Sequence, residues 1–554
     1  MTIKRDTKAI IIIVVYVLAL TISFSNKAYH IDDTAFLFIA DQILKDPLRP
    51  YSFVVEWGDS TKPGTLLNDT PLGSYYIALI SWLFGRSEII LHISYIIFPI
   101  IAGLSFYFIA KRFIYKPLIA TLILVSTPTF LPNSHNLMFD VPVLSLFLLA
   151  IVLFIYGIDK ENHKLLFFGG LAAGLAYLMK PTAVIVIPLL ALYCFIKKKP
   201  KYIAYQIIPI IIIILFALHN YLFEDRILLL NYLSWVTGNK QSLKLLSAHF
   251  FSNLSYIGGA TIFPFFLVWP FIKNKKNFVF MGISILIAAI VSILIYNLSS
   301  NFVSGRYTLF QLILFFFFTT SSTFFILAVL AENYKNIKLG MLKMLNITRS
   351  YYNTDAFFIF AWFIGIFIFN NWIVGGAVRW NTLFLPPLVL SYFLILKKYI
   401  INVNKFLLII LFLTAFIGVV VAYADYEYSN SYRNFAEAIP ETYKTSSNII
   451  HFLGGAGFQY YMTENGYRML LNNDHTPKKG DIIIKARISF PRKMTPELMS
   501  RSELINVISF DGKIPVRIQN PEAHAGFYTY AGGFLPYSLS TSKLENFDIY
   551  YVKK

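Results

Sequence analysis

Long apolar segments recur from residue 9 to residue 424, separated by short basic loops. A helix needs about 20 consecutive apolar residues to cross a bilayer. The segments predict a polytopic α-helical membrane protein with about 13 spans. They fall near residues 9–25, 88–110, 118–131, 137–157, 165–180, 182–196, 203–222, 254–272, 278–297, 306–332, 355–371, 381–396 and 405–424. Composition agrees: 57% of residues are hydrophobic and 14% charged, whereas a soluble domain carries about 25% charged residues.

The net charge of +19 does not mark a nucleic-acid binder. Lys and Arg cluster in loops between apolar segments, the positive-inside pattern, and form no binding stripe. Lys4, Arg5 and Lys8 place the N-terminus in the cytoplasm. Lys111-Arg112, Lys160 with Lys164, Lys197-Lys198-Lys199, Lys273 to Lys276, Lys335 to Lys343 and Lys397-Lys398 join it there. The loops alternate only if 71–84 does not cross. That stretch is short, and its Tyr and Trp suit the headgroup level, so an interfacial helix on the outer surface is expected. The basic start followed by 9–25 lacks an Ala-x-Ala cleavage site, which predicts a retained first span. The expected location is the plasma or inner membrane, with an extracytoplasmic C-terminus. Cys194 is the sole cysteine, so no intramolecular disulfide forms and it reads as a small core residue.

This topology gathers polar residues on the outer side. Asp32, Asp33 and Asp69 lie in the first external loop, 26–87. Asp140 opens one span, Lys180 closes another, and Arg306 and Arg379 open later spans, all at external ends. Charges held against a bilayer are costly and usually functional. Carboxylates there can handle protons, and cations can hold a phosphate. Each residue also has an ordinary alternative. Asp32-Asp33 can cap a helix, and Lys180, Arg306 and Arg379 can snorkel. Convergence on one face favours a single site. The loop 223–253, with Glu224, Asp225, Arg226 and His249, suits a lid or a plain connector.

Beyond 424 the chain turns polar and has no candidate span. A helical linker is expected near 430–445, and strands at 482–484, 505–510, 514–518 and 547–552. Asn472-Asn473-Asp474 and Lys478-Lys479-Gly480-Asp481 read as turns. Gly454 to Tyr461 reads as a glycine turn before an aromatic strand, or as a recognition loop. The organisation expected is a transmembrane domain over 1–424 and an extracytoplasmic α/β or β-rich domain over 425–554.

Several ordered motifs resemble one family. They are His30-Ile31-Asp32-Asp33-Thr34 with the amphipathic Ile39 to Leu44; Asn68-Asp69-Thr70-Pro71-Leu72 through Gly85; and Arg86-Ser87-Glu88 to His92. Phe139-Asp140-Val141-Pro142, the Gly-rich 169–175 with Met179-Lys180-Pro181, and Arg379-Trp380 with Leu385-Pro386-Pro387 complete the set. From about residue 9 to residue 424 the chain is similar to the GT-C membrane glycosyltransferases of glycosyltransferase family 39, the protein O-mannosyltransferase and aminoarabinose transferase type. Asp33 stands where a Glu is usual, and His92 where an Arg is common.

The resemblance implies transfer of a sugar from a polyprenyl-phosphate donor to an acceptor hydroxyl, on a lipid, glycan or protein, by single inverting displacement. It makes Asp32 the general base, with Asp33 orienting or capping and Asp69 beside them as catalytic carboxylates. Lys180, Arg379 and Arg306 would bind the donor phosphate, and Asp140 and Glu88 the substrates. Some relatives hold a divalent cation through an acid at the Asp69 position and a distant His. His249 is poorly placed for that, so no metal site is assigned, and a divalent cation is left open as a cofactor. Donor, acceptor and membrane lipids are the expected partners, and nucleic acid is not. A transporter or flippase of lipid-linked sugars would need polar residues through the bilayer's depth. Here the charges gather at one face. A scaffold working through 425–554 would not need the ordered motifs.

Overall fold

The computed structural model describes residues 2–57, 60–67, 70–224, 226–228, 230, 243–267, 278–298, 306–344, 353–399, 404–439, 443, 448–471, 477–488 and 490–553. The protein is a multi-pass helical membrane protein with a mixed β-sheet unit near its C-terminal end. Among the described residues nine helices are long and apolar enough to cross a membrane, fewer than the about 13 expected from span length. The expected spans 118–131, 165–180 and 182–196 fall on the shorter helices Pro117–Ser126, His163–Met179 and Pro181–Ile196. At 1.5 Å per residue the 10 and 17 residues of the first two rise about 15 and 26 Å, below the roughly 30 Å of a hydrocarbon core. Of the expected span 254–272, residues 254–261 belong to a more polar helix, Leu243–Thr261, that begins within the expected loop 223–253; Phe263–Leu267 form a further turn, and 268–272 lie outside the described residues. The stretch 71–84 is helical as expected, over Leu72–Phe84.

Helices pack through small residues where backbones approach. The Gly-rich helix His163–Met179 lies between Asp140–Asp159 and Ile207–Glu224. A Cβ at Gly169 would meet the Phe154 backbone nitrogen at 3.1 Å, and one at Gly170 the Tyr205 carbonyl oxygen at 2.8 Å. Close approach of this kind drives helix association where lipid removes the hydrophobic incentive. At one end of the bundle the basic loops are tied to acids. Arg112 reaches Asp159 at 2.6 Å and Asp355 at 2.9 Å, Lys197 reaches Asp355 at 2.6 Å, and Lys111 reaches Asp6 at 2.5 Å.

The opposite end carries the β-sheet unit. Its five-stranded sheet has the order Arg468–Met469, Ile450–Leu453, Ile482–Ala486, Glu545–Val552, Ser502–Phe510. The first three run parallel, and Glu545–Val552 is antiparallel to both neighbours. The last membrane helix runs on into the first part of the expected linker as one helix, Asn404–Glu437, and residues 440–442 and 444–447 lie outside the described residues. The 34 residues of this helix rise about 51 Å, well beyond the bilayer core, and deliver Phe435 against the sheet, where its ring stacks 3.7 Å from Phe547. Gly454 to Tyr461 does not lead into a strand. Ala456–Glu464 is a helix, and the strand Ile450–Leu453 precedes it.

Candidate functional site

The loop joining the first membrane helix to the helix Asp33–Lys45 is held amide by amide. The Ala28 N–H donates to Asn430 Oδ1 at 2.9 Å, Tyr29 N–H to Tyr461 Oη at 2.8 Å, and His30 N–H to Asp33 Oδ2 at 3.2 Å. Ile31 then adopts a left-handed backbone, φ 50°, which a β-branched residue takes only at a local cost of about 1–3 kcal/mol. That kink sends the two neighbouring carboxylates apart. Asp33 is fully buried and accepts the Leu137 N–H at 2.9 Å. Asp32 occupies the N-cap position but its side chain accepts no capping bond. It reaches instead to Arg379 Nη1 at 2.6 Å, with 29% of its side chain exposed. Simple capping therefore does not account for Asp32.

Arg379 begins the turn Arg379–Phe384 and is buried. Its Nη1 also contacts Met138 Sδ at 2.9 Å, and its Nε has no partner among the described residues. The preceding loop is held by the C-terminal segment. Val378 N–H donates to the Phe527 carbonyl at 2.9 Å, and Tyr530 N–H to that of Gly376 at 3.1 Å. Asp140 opens its helix, and Lys180, at the end of the Gly-rich helix, pairs with Asp140 Oδ1 at 2.7 Å. The other Asp140 oxygen is buried with no partner among the described residues. Asp140, Lys180, Thr182, Asn370, Arg379 and Trp380 line one pocket. The structure thus brings Asp32, Asp140, Lys180 and Arg379 together.

Other expected site residues lie elsewhere. Arg306 is exposed beside Tyr307, whose ring stacks 3.9 Å from His524, and it does not line the pocket. Glu88 pairs with Arg433 and accepts from Tyr461 Oη, in the seam between the helices and the sheet unit. Asp69 lies outside the described residues. His249 packs edge-on against Tyr530, and no group of three or more His, Cys, Asp or Glu suited to a metal occurs among the described residues.

Sequence reasoning missed a buried polar network behind Asp32. Lys27 donates to Asp425 and to Asn136. Asp425 also sits 3.0 Å from His30 Nε2 and accepts Tyr528 Oη–H at 2.8 Å. Asn136 Nδ2 donates to the same phenol at 3.0 Å. All five side chains are buried. The available signal was Lys27 and Asp425 at the ends of apolar runs, since ionisable groups held there pair.

A neighbouring histidine ties this region to pH. His135 stacks on Phe24 with ring centroids 4.4 Å apart, and its Nε2 meets the Leu20 carbonyl at 3.1 Å. Burial, with Lys27 adding repulsion, pushes its pKa down to about 3. An unfolded His titrates near 6.5, so between about pH 6.5 and 3 the unfolded chain binds a proton the folded one refuses. Stability is expected to fall as the pH drops below about 6.5. Thermal melts of the detergent-solubilised protein at neutral and mildly acidic pH check this, and His135→Gln should shrink the difference.

Residues 68–221 match the sequence model of a family described as dolichyl-phosphate-mannose-protein mannosyltransferase. Among curated proteins no sequence matches the chain. Of solved structures, the chain is similar to the oligosaccharyltransferase of Archaeoglobus fulgidus in complex with zinc and sulfate. The identity is 13% and the TM-score 0.46, covering 83% of this chain and 62% of that one. It is also similar to ArnT from Cupriavidus metallidurans bound to undecaprenyl phosphate, at 12% identity and TM-score 0.41, covering 84% of this chain and 87% of that one. For the apo state of that ArnT the identity is 11% and the TM-score 0.41, over 98% and 97% of the two chains.

Proposed function

We propose that this chain, whose residues 68–221 carry the pattern of the dolichyl-phosphate-mannose-protein mannosyltransferases, is a membrane glycosyltransferase of the GT-C type. It moves a sugar from a polyprenyl-phosphate donor to an acceptor hydroxyl at the extracytoplasmic face, with the N-terminus in the cytoplasm. The observation that carries the reading is the contact of Asp32 with Arg379, 2.6 Å, beside the Asp140–Lys180 pair.

In this reading Asp32 takes the proton of the acceptor hydroxyl as the acceptor oxygen attacks the anomeric carbon. The bond from that carbon to the phosphate oxygen breaks, and the electron pair leaves with polyprenyl phosphate. One displacement inverts the anomeric configuration. A carboxylate is a weak base toward an alcohol, so proton transfer is concerted with attack and depends on positioning. Arg379 supplies that positioning. A guanidinium has five N–H donors. One here is on Asp32, and Nε, buried and without a partner among the described residues, is the donor this reading assigns to the phosphate. Base and leaving group are then registered on one planar cation. Lys180, oriented by Asp140, adds a second positive charge for the leaving phosphate.

The test is to incubate the purified full-length protein with a panel of polyprenyl-phosphate sugars and a hydroxyl-bearing acceptor extract. One donor is expected to lose its sugar and release polyprenyl phosphate. Arg379→Gln should slow that release by about 10²–10³-fold, as for loss of one charge-stabilising donor. Consumption of no donor by the wild-type protein would refute the assignment.

A further inference from the structure

A second cavity, of about 410 Å³, lies between the hairpin Val54–Trp57/Ser60–Pro63, the start of the helix Ala456–Glu464 and the loop at 490–492. Its size falls within the range of small-molecule sites. Trp57 and Phe490 supply aromatic faces, Lys62 and Arg492 supply two cations, and Gln459 supplies an amide, with no carboxylate among the described lining residues. The walls are fixed. Gln459 Nε2 donates to the Glu56 carbonyl at 2.6 Å, locking hairpin to helix. Phe490 and Ala456 both hold left-handed backbone, φ 44° and 55°, conformations that non-glycine residues keep mainly where surrounding structure enforces them, often at ligand sites.

The cavity also adjoins the Asp32 loop. Gly457 follows the lining residue Ala456 and lies directly on that loop. A Cβ there would come within 2.4 Å of the Tyr29 carbonyl oxygen and 2.9 Å of His30 Cα. Two residues further along that loop is Asp32.

We infer that this cavity is a subsite for an anionic carbohydrate, a sugar or polyol ring bearing a phosphate or carboxylate. That this ligand is the acceptor rests on the glycosyl-transfer reading above; that the cavity binds it does not. The flat C–H face of the ring packs on Trp57 and Phe490. The anion is held by Lys62 and Arg492 through charge-assisted hydrogen bonds. A neutral sugar uses only half of this chemistry, and a bare phosphate only the other half.

The experiment is calorimetric titration of the full-length protein in detergent with glucose 1-phosphate, glucose and inorganic phosphate, and with phosphatidylinositol-doped micelles as a lipid-borne source of the same chemistry. Saturable binding of glucose 1-phosphate or of phosphatidylinositol is expected, tighter than for glucose or phosphate alone. The two arms distinguish a soluble ligand from a lipid headgroup. Lys62→Glu should weaken binding about tenfold or more, the loss of one charge-assisted contact, and Phe490→Ala should weaken it too. Lys479→Glu, an exposed charge reversal elsewhere in the sheet unit, should not. Binding of neither probe, equal binding of glucose, or affinity unmoved by Lys62→Glu would overturn the inference. No donor is present in the titration, so its outcome is independent of whether the chain transfers sugar.

Discussion

Replacing Asp32 by Asn is expected to lower sugar transfer by about 10²–10⁴-fold, the usual worth of a general base, while leaving the fold intact. The substitution is isosteric. The side chain caps no helix amide, so the helix Asp33–Lys45 loses nothing, and an amide oxygen can still accept from Arg379. What disappears is the capacity to take a proton. Initial rates of polyprenyl phosphate release, read beside the melting temperature in detergent, separate the two effects. An Asn variant as active as the wild type would remove Asp32 from the mechanism, whatever the donor proves to be.

Lys27→Met is expected to destabilise the protein by about 3–5 kcal/mol, the cost of leaving one partner of a buried ion pair uncompensated. Both side chains are 1% exposed. The double variant Lys27→Met/Asp425→Leu should recover much of that loss, because a well-packed apolar pair in place of a buried ion pair is often neutral. Recovery should be incomplete, since His30 and Tyr528 also lose their acceptor. Thermal melts of the single and double variants decide the matter. A single variant as stable as the wild type would show that the network contributes nothing net.

The helices were legible because the bilayer imposes length and apolarity on anything that crosses it. Their lengths and ends were less legible where segments are short or polar. Residues 118–131 read as one span, but Thr127-Pro128 ends the helix at Ser126, as a proline disfavours helix in the residue before it. The helix Leu243–Thr261 carries His249, Ser252 and Asn253 and so does not register as apolar. In the sheet unit the expected strands at 482–484, 505–510 and 547–552 lie within observed strands. Phe458, Tyr460 and Tyr461 favour strand by propensity, yet tertiary packing against Tyr29 and Phe435 places them on a helix.

The convergence of Asp32, Asp140, Lys180 and Arg379 was legible because each stands at the end of an apolar run. The placement of Arg306 and Glu88 away from the pocket was not. Nothing local shows that Glu88 answers Arg433. The partnership of Lys27 with Asp425 spans 398 residues, and no periodicity reports a contact of that reach.

That reach has a consequence for biogenesis. Ribosomes add about 5–20 residues per second, so Asp425 emerges about 20–80 s after Lys27, and Tyr528 later still. Throughout that interval the early loop lacks the anion and the phenol that anchor it. The nascent chain can insert its first spans long before the loop that carries Asp32 is anchored. The order of synthesis itself thus postpones that anchoring until the last membrane helix and the sheet unit have arrived.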